Sequence, residues 1–526
     1  MWVEDLAERP ERVGSLTRAA SVAVLGIDGL PVVVEAYRAR GLPALAVIGL
    51  ARGAVRESAV RVRAALAALG TPLGTQRLVV NLLPAELPKE GSALDLPLAV
   101  ALLAGLGVVP AEALVGRRFF GELSLGGALE PVRGAVVAAD LSRRAGDREI
   151  IVSEENAAEA AMIPGIRVIG ASSLAAVVAH LAGERVLEPA RPTPTADSVD
   201  APSACLSDVR GQAAAKRVLE IAAAGQHNLL LIGPPGSGKT MLARRLPSLM
   251  PRLDTEAAIE VTRIHSAAGL TLRGSLAHER PFRAPHHTAS DVALCGGGAI
   301  PRPGEITLAH HGVLFLDELP EFSRRALDSL REPLEEGSIH VSRAARSMEF
   351  PARILLVAAM NPCPCGYYRG YYPRAMRELA GQRPCVDNYE HVQRYRAKVS
   401  GPLLDRIDMH VVVDAMPYRD LAGGPLAESS ACVRVRVERA RRQQSQRLGP
   451  GRTNATMTQR ELSELAQVQA EAQCALGAAL DERGLSARSA GRVLKVARTI
   501  ADLAERAEVG VAHVEEALAL RALDDA

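Results

Sequence analysis

Gly233, Pro234, Pro235, Gly236, Ser237, Gly238, Lys239 and Thr240 fit the pattern G-x-x-x-x-G-K-[ST]. Glycines at these positions let backbone N–H groups wrap phosphate oxygens, and the helix that follows adds partial positive charge. Lys239 would reach the β- and γ-phosphates of a nucleotide, and Thr240 would bind Mg2+. Downstream, Gly312-Val-Leu-Phe-Leu316-Asp317-Glu318 is an apolar run ending in two carboxylates. Asp317 would hold Mg2+ through water, and Glu318 would polarise the attacking water. A third apolar run, Arg353 to Met360, ends at Asn361. Two readings fit Asn361: a polar group between the carboxylates and the γ-phosphate, or a turn former before Pro362.

The elements needed to hold these groups are legible around them. Asn228 to Ile232 reads as a buried strand before the glycine-rich loop, and Met241–Leu249 as a helix after it. From about Val22 to Leu181, strand-like runs (Ser21–Leu25, Leu45–Gly49, Arg77–Leu82, Glu149–Ser153) alternate with helical stretches (Val55–Leu69, Leu96–Leu106, Ala135–Ala145). Residues 1–187 therefore read as one α/β or α+β domain. Residues 188–204, rich in Pro, Ser, Thr and Ala, read as a linker. A second α/β domain spans 205–416, and 417–526 reads as helical (Thr458–Leu480, Ala487–Arg506, Val511–Leu523).

Composition narrows the function classes. The 526 residues exceed one compact core. With 48% hydrophobic and 23% charged residues, the chain reads as globular. A net charge of +2 gives no global field for nucleic acid, so any DNA contact must come from local patches. Aromatics at 3% argue against base-stacking single-strand binders. The longest apolar stretch, Leu96 to Val109, falls short of the roughly 20 residues a membrane span needs. The mixed-charge start carries no apolar signal core, and the seven cysteines are odd in number, so a cytoplasmic protein is expected.

Six stretches together resemble the YifB/ComM family of Mg-chelatase-like AAA+ ATPases: SDVRGQAAAKRVLEIAAAGQHNLLLIGPPGSGKTMLARRLP, RPFRAPHHTAS, PRPGEITLAHHGVLFLDELPEF, AAMNPCPCGYY, RYRAKVSGPLLDRIDMH and LSARSAGRVLKVARTIADL. The likeness runs from about Ala20 to Leu523. It implies a P-loop AAA+ α/β domain of the chelatase/helicase branch, a C-terminal α-helical lid, and ATP with Mg2+ as ligands. It assigns Asn361 to sensor 1, Arg406 to an arginine finger reaching a neighbour's γ-phosphate, and Arg488 to sensor 2. A cation there stabilises transition-state charge, and a finger donated in trans makes catalysis need a ring. Each arginine read alone fits a surface salt bridge better, so these roles rest on the family resemblance.

The branch also implies two hairpins facing a pore, here Gly296–Thr307 and Glu336–Phe350, the second with Arg343 and Arg346 near its tip. Two arginines there fit phosphate contact, or an ordinary solvated hairpin. The N-terminal domain resembles the Lon protease domain, of the ribosomal protein S5 domain 2-like α+β class, through Pro88 to Ser92 and Gly121 to Gly134. Lon chemistry needs a serine and a lysine base. Ser92 is displaced by one position, no lysine lies between Lys89 and Lys216, and Arg133 cannot serve as a base at neutral pH. A proteolytically inactive scaffold is expected.

The family often carries two C-x-C pairs after the sensor asparagine. Here Cys363-Pro-Cys365 is followed by Cys385-Val-Asp387, so one thiolate is missing. Asp387 or His391 could complete a zinc site; the alternative is reduced, incidental thiols in an insertion near 363–391. His286 and His287, adjacent, are expected on opposite faces of a strand and carry no assigned role. Six arginines against one glutamate in Arg434–Arg447 could touch DNA, but they read better as one solvated face of a lid helix.

The function expected is an ATP-driven ring motor, a hexamer, acting on DNA as a branch-migration helicase in natural transformation, with recombination proteins as partners and no membrane. The alternative is a chelatase-type motor subunit driving metal insertion through a partner protein.

Overall fold

The computed structural model describes residues 16–39, 42, 44–48, 54–73, 77–85, 92–192, 204–270, 275–297, 302–343, 346–370, 383–415, 428–484 and 486–523. Two compact units emerge. One comprises residues 1–199 together with 258–277; the other comprises 200–257 and 278–526. Residues 258–277 thus fold with the N-terminal unit although they lie within 205–416 in sequence. Most of the stretch 188–204, namely 193–203, lies outside the described residues.

In the first unit the strands are β1 (Leu16–Leu25), β2 (Asp28–Ala39), β3 (Ala44–Ile48), β4 (Arg77–Leu83), β5 (Arg117–Phe119), β6 (Glu122–Leu123), β7 (Leu129–Glu130), β8 (Glu149–Ser153) and β9 (Arg167–Ala171). A seven-stranded mixed sheet runs β3-β4-β2-β1-β5-β8-β9. β1 and β2 form a long antiparallel ribbon from Leu16↔Tyr37 to Leu25↔Asp28, and β5, β8 and β9 are parallel. Helix Asp95–Gly105, buried along nearly its whole length, packs with β1, β2 and β4 side chains into one core. Helix Ala135–Ala145 buries Val136 and Ala139 in a second core with Ile150 and Val152.

The second unit is built on an all-parallel sheet. Its strands are β10 (Leu229–Ile232), β11 (Phe282–Arg283), β12 (Gly296–Gly297), β13 (Arg302–Pro303), β14 (Val313–Leu316), β15 (Ser338–Arg343), β16 (Arg346–Pro351), β17 (Leu355–Met360) and β18 (Met409–Val412). The main sheet order is β11-β14-β17-β10-β18, every neighbour parallel. Parallel strands are covered on both faces, which is why β10, β14 and β17 are continuous apolar runs. Alternation divides them between two cores. Leu229 and Leu231 face a core shared with Val218, Ile221, Val433, Val437, Val496 and Ile500, whereas Leu230 and Ile232 face Ile306, Leu319, Phe322 and Leu327. The C-terminal helices are therefore part of the same folded body as β10.

Two small hairpins leave this body. β12 pairs antiparallel with β13 within the expected first hairpin, whose tip, 298–301, lies outside the described residues. β15 pairs with β16 from Ser338↔Pro351 to Arg343↔Arg346, forming the second. Among the described residues no helix is long and apolar enough to cross a membrane.

Candidate active site

Three loops converge at the C-terminal edge of the parallel sheet, where such sheets bind ligands. β17 lies between β10 and β14, with Ile232 in register with Met360 and Leu316 with Ala358. Gly233, Asp317 and Asn361, each the residue after a strand, consequently emerge side by side. Strand order alone puts Asn361 between the glycine-rich loop and the two carboxylates.

The loop's glycines are sterically required. A Cβ on Gly233 would lie 2.1 Å from the Val413 carbonyl oxygen and 2.9 Å from Ser237 Oγ. Gly236 (φ 79°) and Gly238 (φ 88°) occupy left-handed backbone that L side chains rarely adopt. The loop closes on Lys239, whose Nζ donates to Gly233 O (2.7 Å), Pro234 O (3.0 Å) and Asn361 Oδ1 (3.3 Å). Burial pushes the Lys239 ammonium below its usual range, while Asp317 and Glu318 oppose that shift. Its ammonium is turned onto the loop's own carbonyls, the position an incoming phosphate would contest. Ser237 Oγ is buried without a hydrogen-bond partner. An orphaned hydroxyl inside a glycine-rich loop fits a ligand rich in acceptor oxygens.

Thr240 Oγ1 donates to Asp317 Oδ2 at 2.7 Å. That places a hydroxyl and a carboxylate oxygen together at the position where a P-loop site holds Mg2+. Asp317 Oδ1 accepts from the Glu318 N–H at 3.0 Å. Glu318 sits in left-handed backbone (φ 53°), which turns its half-exposed carboxylate away from the strand direction. There it faces His287, with Nδ1 3.0 Å from Oε2. An open cleft of about 480 Å³ lies beside it, lined by Glu318, Glu321, Asn361, Arg394, Tyr395 and Lys398, with Pro364 and His391 completing the wall.

The structure gathers Lys239, Thr240, Asp317, Glu318 and Asn361 into one constellation. Arg406 stands apart from it: its guanidinium pairs with Glu335 (2.5 Å) and donates to Pro402 O (2.6 Å), and its side chain is largely covered. Arg488 lies exposed in the first turn of helix Ala487–Leu503, capped by Ser486, and no described residue pairs with it. Arg343 and Arg346 face each other in register at the tip of β15–β16, and their side chains lie outside the described residues.

Two expectations from sequence need correction. His286 and His287 are not on opposite faces of a strand; they lie in a turn after β11 with ring centroids 4.1 Å apart, and only His287 reaches Glu318. The arginines of Arg434–Arg447 are a solvated face only in part: Arg439 and Arg442 are exposed, and the other four are partly covered. Arg434 donates to Ser248 O, Arg436 joins Glu220 and Glu428, Arg439 pairs with Glu505, Arg442 donates to Glu438 O, and Arg447 pairs with Asp502. Arg441 donates to Ala223 O, and burial, reinforced by Arg280, pushes it down to about 9. Sequence reasoning also passed over Arg394 and Lys398 in the cleft; their spacing of four along RYRAK is the available signal.

In the first unit Ser92 Oγ donates to Glu122, and Arg61 pairs with buried Asp95 at 2.6 Å. Arg133 is exposed, ahead of Gly134 and helix Ala135–Ala145.

Comparison with known proteins matches this arrangement to one family. The model for magnesium chelatase subunit ChlI covers residues 205–421. A second ChlI model matches 34–156, and the ChlI C-terminal model matches 427–521. YifB of Escherichia coli is 44% identical over 511 residues, covering 97% of this chain and 98% of YifB. Competence protein ComM of Haemophilus influenzae is 42% identical over 519 residues, again 97% and 98%. With such identity along nearly its whole length, the chain belongs to the YifB/ComM family of magnesium-chelatase-like proteins.

Proposed function

We propose that the chain is an ATP-hydrolysing AAA+ motor that works as a homo-oligomeric ring, a hexamer, on single-stranded or branched DNA in the cytoplasm. The observation that carries the ATPase reading is the Thr240–Asp317 hydrogen bond beside the Lys239–Asn361 contact, at the end of adjacent parallel strands. The loop N–H groups of Gly236, Ser237, Gly238 and Lys239 bind the phosphates; Gly233 admits the close approach of the backbone, and Pro234 and Pro235, which have no N–H, stiffen the loop. Thr240 and Asp317 hold Mg2+, which when bound neutralises phosphate charge. Glu318 accepts a proton from the attacking water, and Asn361 orients that water against the γ-phosphate. Arg406 and Arg488 supply cations to the transition state, Arg406 to a neighbouring subunit's nucleotide.

The DNA reading rests on the relationship to a competence protein and on the paired arginine register at the β15–β16 tip. We read the motor as a branch-migration helicase that helps incoming single strands pair in natural transformation, alongside recombination proteins. A three-strand branch-migration assay tests it: ATP-dependent movement of the junction, absent in Glu318→Gln, is expected, and no movement of any junction overturns it.

A second reading, a chelatase-type motor driving metal insertion through a partner protein, is favoured by the family descriptions of all three matched models. ATP hydrolysis raised by a protein partner and indifferent to DNA would select it.

The N-terminal unit we read as a Lon-like scaffold without protease activity, and residues 417–526 as the helical lid. The Ser92 hydroxyl is bonded to Glu122, and residues 92–192 contain no lysine to act as base.

A further inference from the structure

Two segments of the second unit bring sulfur and carboxylate together immediately beyond Asn361. Cys363-Pro-Cys365 follows the end of β17, and Cys385-Val-Asp387 leads into helix Tyr389–Arg396. Cys363 Sγ lies 3.2 Å from Cys365 Sγ and 3.7 Å from Cys385 Sγ, and Cys365 Sγ lies 3.5 Å from Cys385 Sγ. A carboxylate oxygen of Asp387 completes the group, with all four ligand atoms within 4.8 Å of one another. Cys363 is buried and the other three are partly so.

Zinc bound tetrahedrally at about 2.3 Å spaces its sulfurs about 3.8 Å apart, close to the separations seen here. A disulfide satisfies two sulfurs and strands the third. Three thiols and one carboxylate, each converging from a short turn, supply a complete set of four ligands. The surrounding bonds have the character of outer-shell support. The Cys365 N–H donates to Asp387 Oδ2 (2.8 Å), fixing the carboxylate, and the Tyr368 N–H points at Cys363 Sγ (3.3 Å), which favours a thiolate. Gly366, at φ 89°, closes the turn through its N–H to Cys363 O (3.0 Å).

We propose that Cys363, Cys365, Cys385 and Asp387 form a structural zinc site that fastens the end of β17 to helix Tyr389–Arg396. The fastening matters because of what lies on either side. A Cβ on Gly366 would meet Pro235 Cδ at 2.5 Å, so the cysteine turn packs directly on the glycine-rich loop. The helix on the other side carries His391, Arg394 and Tyr395 into the cleft facing Glu318. The zinc therefore sets the wall of the cleft rather than taking part in its chemistry. The site stands whatever substrate the motor acts on, so its failure and the failure of the DNA reading are separable.

The test is made on the full-length chain, purified without a histidine tag or chelator. Elemental analysis is expected to give one zinc per chain, and zinc-depleted protein loaded with Co2+ alone is expected to show thiolate-to-cobalt charge-transfer absorption and the strong d–d bands of tetrahedral cobalt. Asp387→Cys keeps the metal and intensifies the charge-transfer band; Cys365→Ser and Cys385→Ser lose it. Reduced wild-type protein that holds no zinc and gives no cobalt spectrum overturns the site, a result that no misfolded variant can mimic. Zinc retained at full stoichiometry in the Cys365→Ser/Cys385→Ser double variant overturns it equally.

Discussion

His287 Nδ1 stands 3.0 Å from Glu318 Oε2, so the carboxylate proposed to activate water is held by an imidazole arriving from the turn after β11. The backbone of Glu318 is left-handed, and its neighbour Asp317 is already committed to Thr240. If this pairing restrains the carboxylate, its release frees Glu318 for use on water. A hydrogen bond of this kind contributes about 1 kcal/mol, or about five-fold in rate. His287→Ala is expected to raise resting ATP hydrolysis by about that factor in a steady-state assay without DNA. An unchanged or lower resting rate would show that the pairing does not restrain the carboxylate.

Glu318→Gln removes the proton acceptor while keeping the shape. Hydrolysis is expected to fall by about 100-fold or more. Nucleotide affinity, measured by calorimetry, is expected to stay within a few-fold of wild type. Lys239→Ala, in contrast, removes the cation on the phosphates and should abolish binding itself.

Arg406 is tied to Glu335 and Pro402 O within its own chain, away from the constellation around Lys239. If it serves a neighbour, two inactive variants repair one another. Arg406→Ala, expected to lose about 1,000-fold, and Glu318→Gln chains should regain hydrolysis on mixing, because mixed rings contain interfaces with an intact Glu318 and an intact Arg406. No recovery in demonstrably mixed rings would remove the trans role.

Asp408 offers a pH prediction. It accepts from the Asn228 N–H (3.0 Å) and faces His227 Nδ1 (3.4 Å) and Arg492 (3.9 Å), with Lys495 near. Burial alone would raise its carboxyl, but the His227 interaction and the two cations outweigh it and hold it below the usual range. A depressed carboxyl contributes stability above its unfolded value of about 3.9 and loses it as pH falls through the folded value. Asp408→Asn should cost about 3 kcal/mol at pH 7, with its Tm difference from wild type shrinking below pH about 4. A difference that persists unchanged into acid would contradict the assignment.

Much of the site was legible because its chemistry demands particular residues. Only glycine fits at 233, where the Val413 carbonyl approaches, and strand runs that end in Asp317 and Asn361 announce a parallel sheet. What failed to show depends on distant partners. Thr458–Leu480 reads as one helix, yet it breaks into Gln459–Leu465 and Ala470–Arg483 where Val468 pairs with Val509, the Gln469 N–H donating to Val509 O (3.0 Å) and the Val509 N–H to Gln467 O (2.9 Å). The Asp28–Ala39 strand, absent from the runs read in sequence, contains Pro31 and four polar or charged residues; its long pairing with β1 overrides that weak local preference. His287 and the covered arginines Arg434, Arg436, Arg441 and Arg447 were misjudged for the same reason, since their partners Glu318, Ser248, Glu220, Ala223 and Asp502 all come from other segments.

Arg343 and Arg346 pair in register at the tip of β15–β16, where the proposed motor would contact DNA phosphates. The double alanine variant is expected to weaken DNA binding about 10-fold and to lower the salt slope by about two phosphate contacts, with DNA-free hydrolysis intact. Unchanged affinity and slope would mean the hairpin does not touch the backbone.

The most direct measurement is the ATP hydrolysis rate against protein concentration, with and without single-stranded and branched DNA, using Glu318→Gln as the control. The motor reading predicts a rate that rises as rings assemble, rises further with DNA, and vanishes in the variant. A rate indifferent to every DNA tried, at concentrations where rings are present, would contradict it.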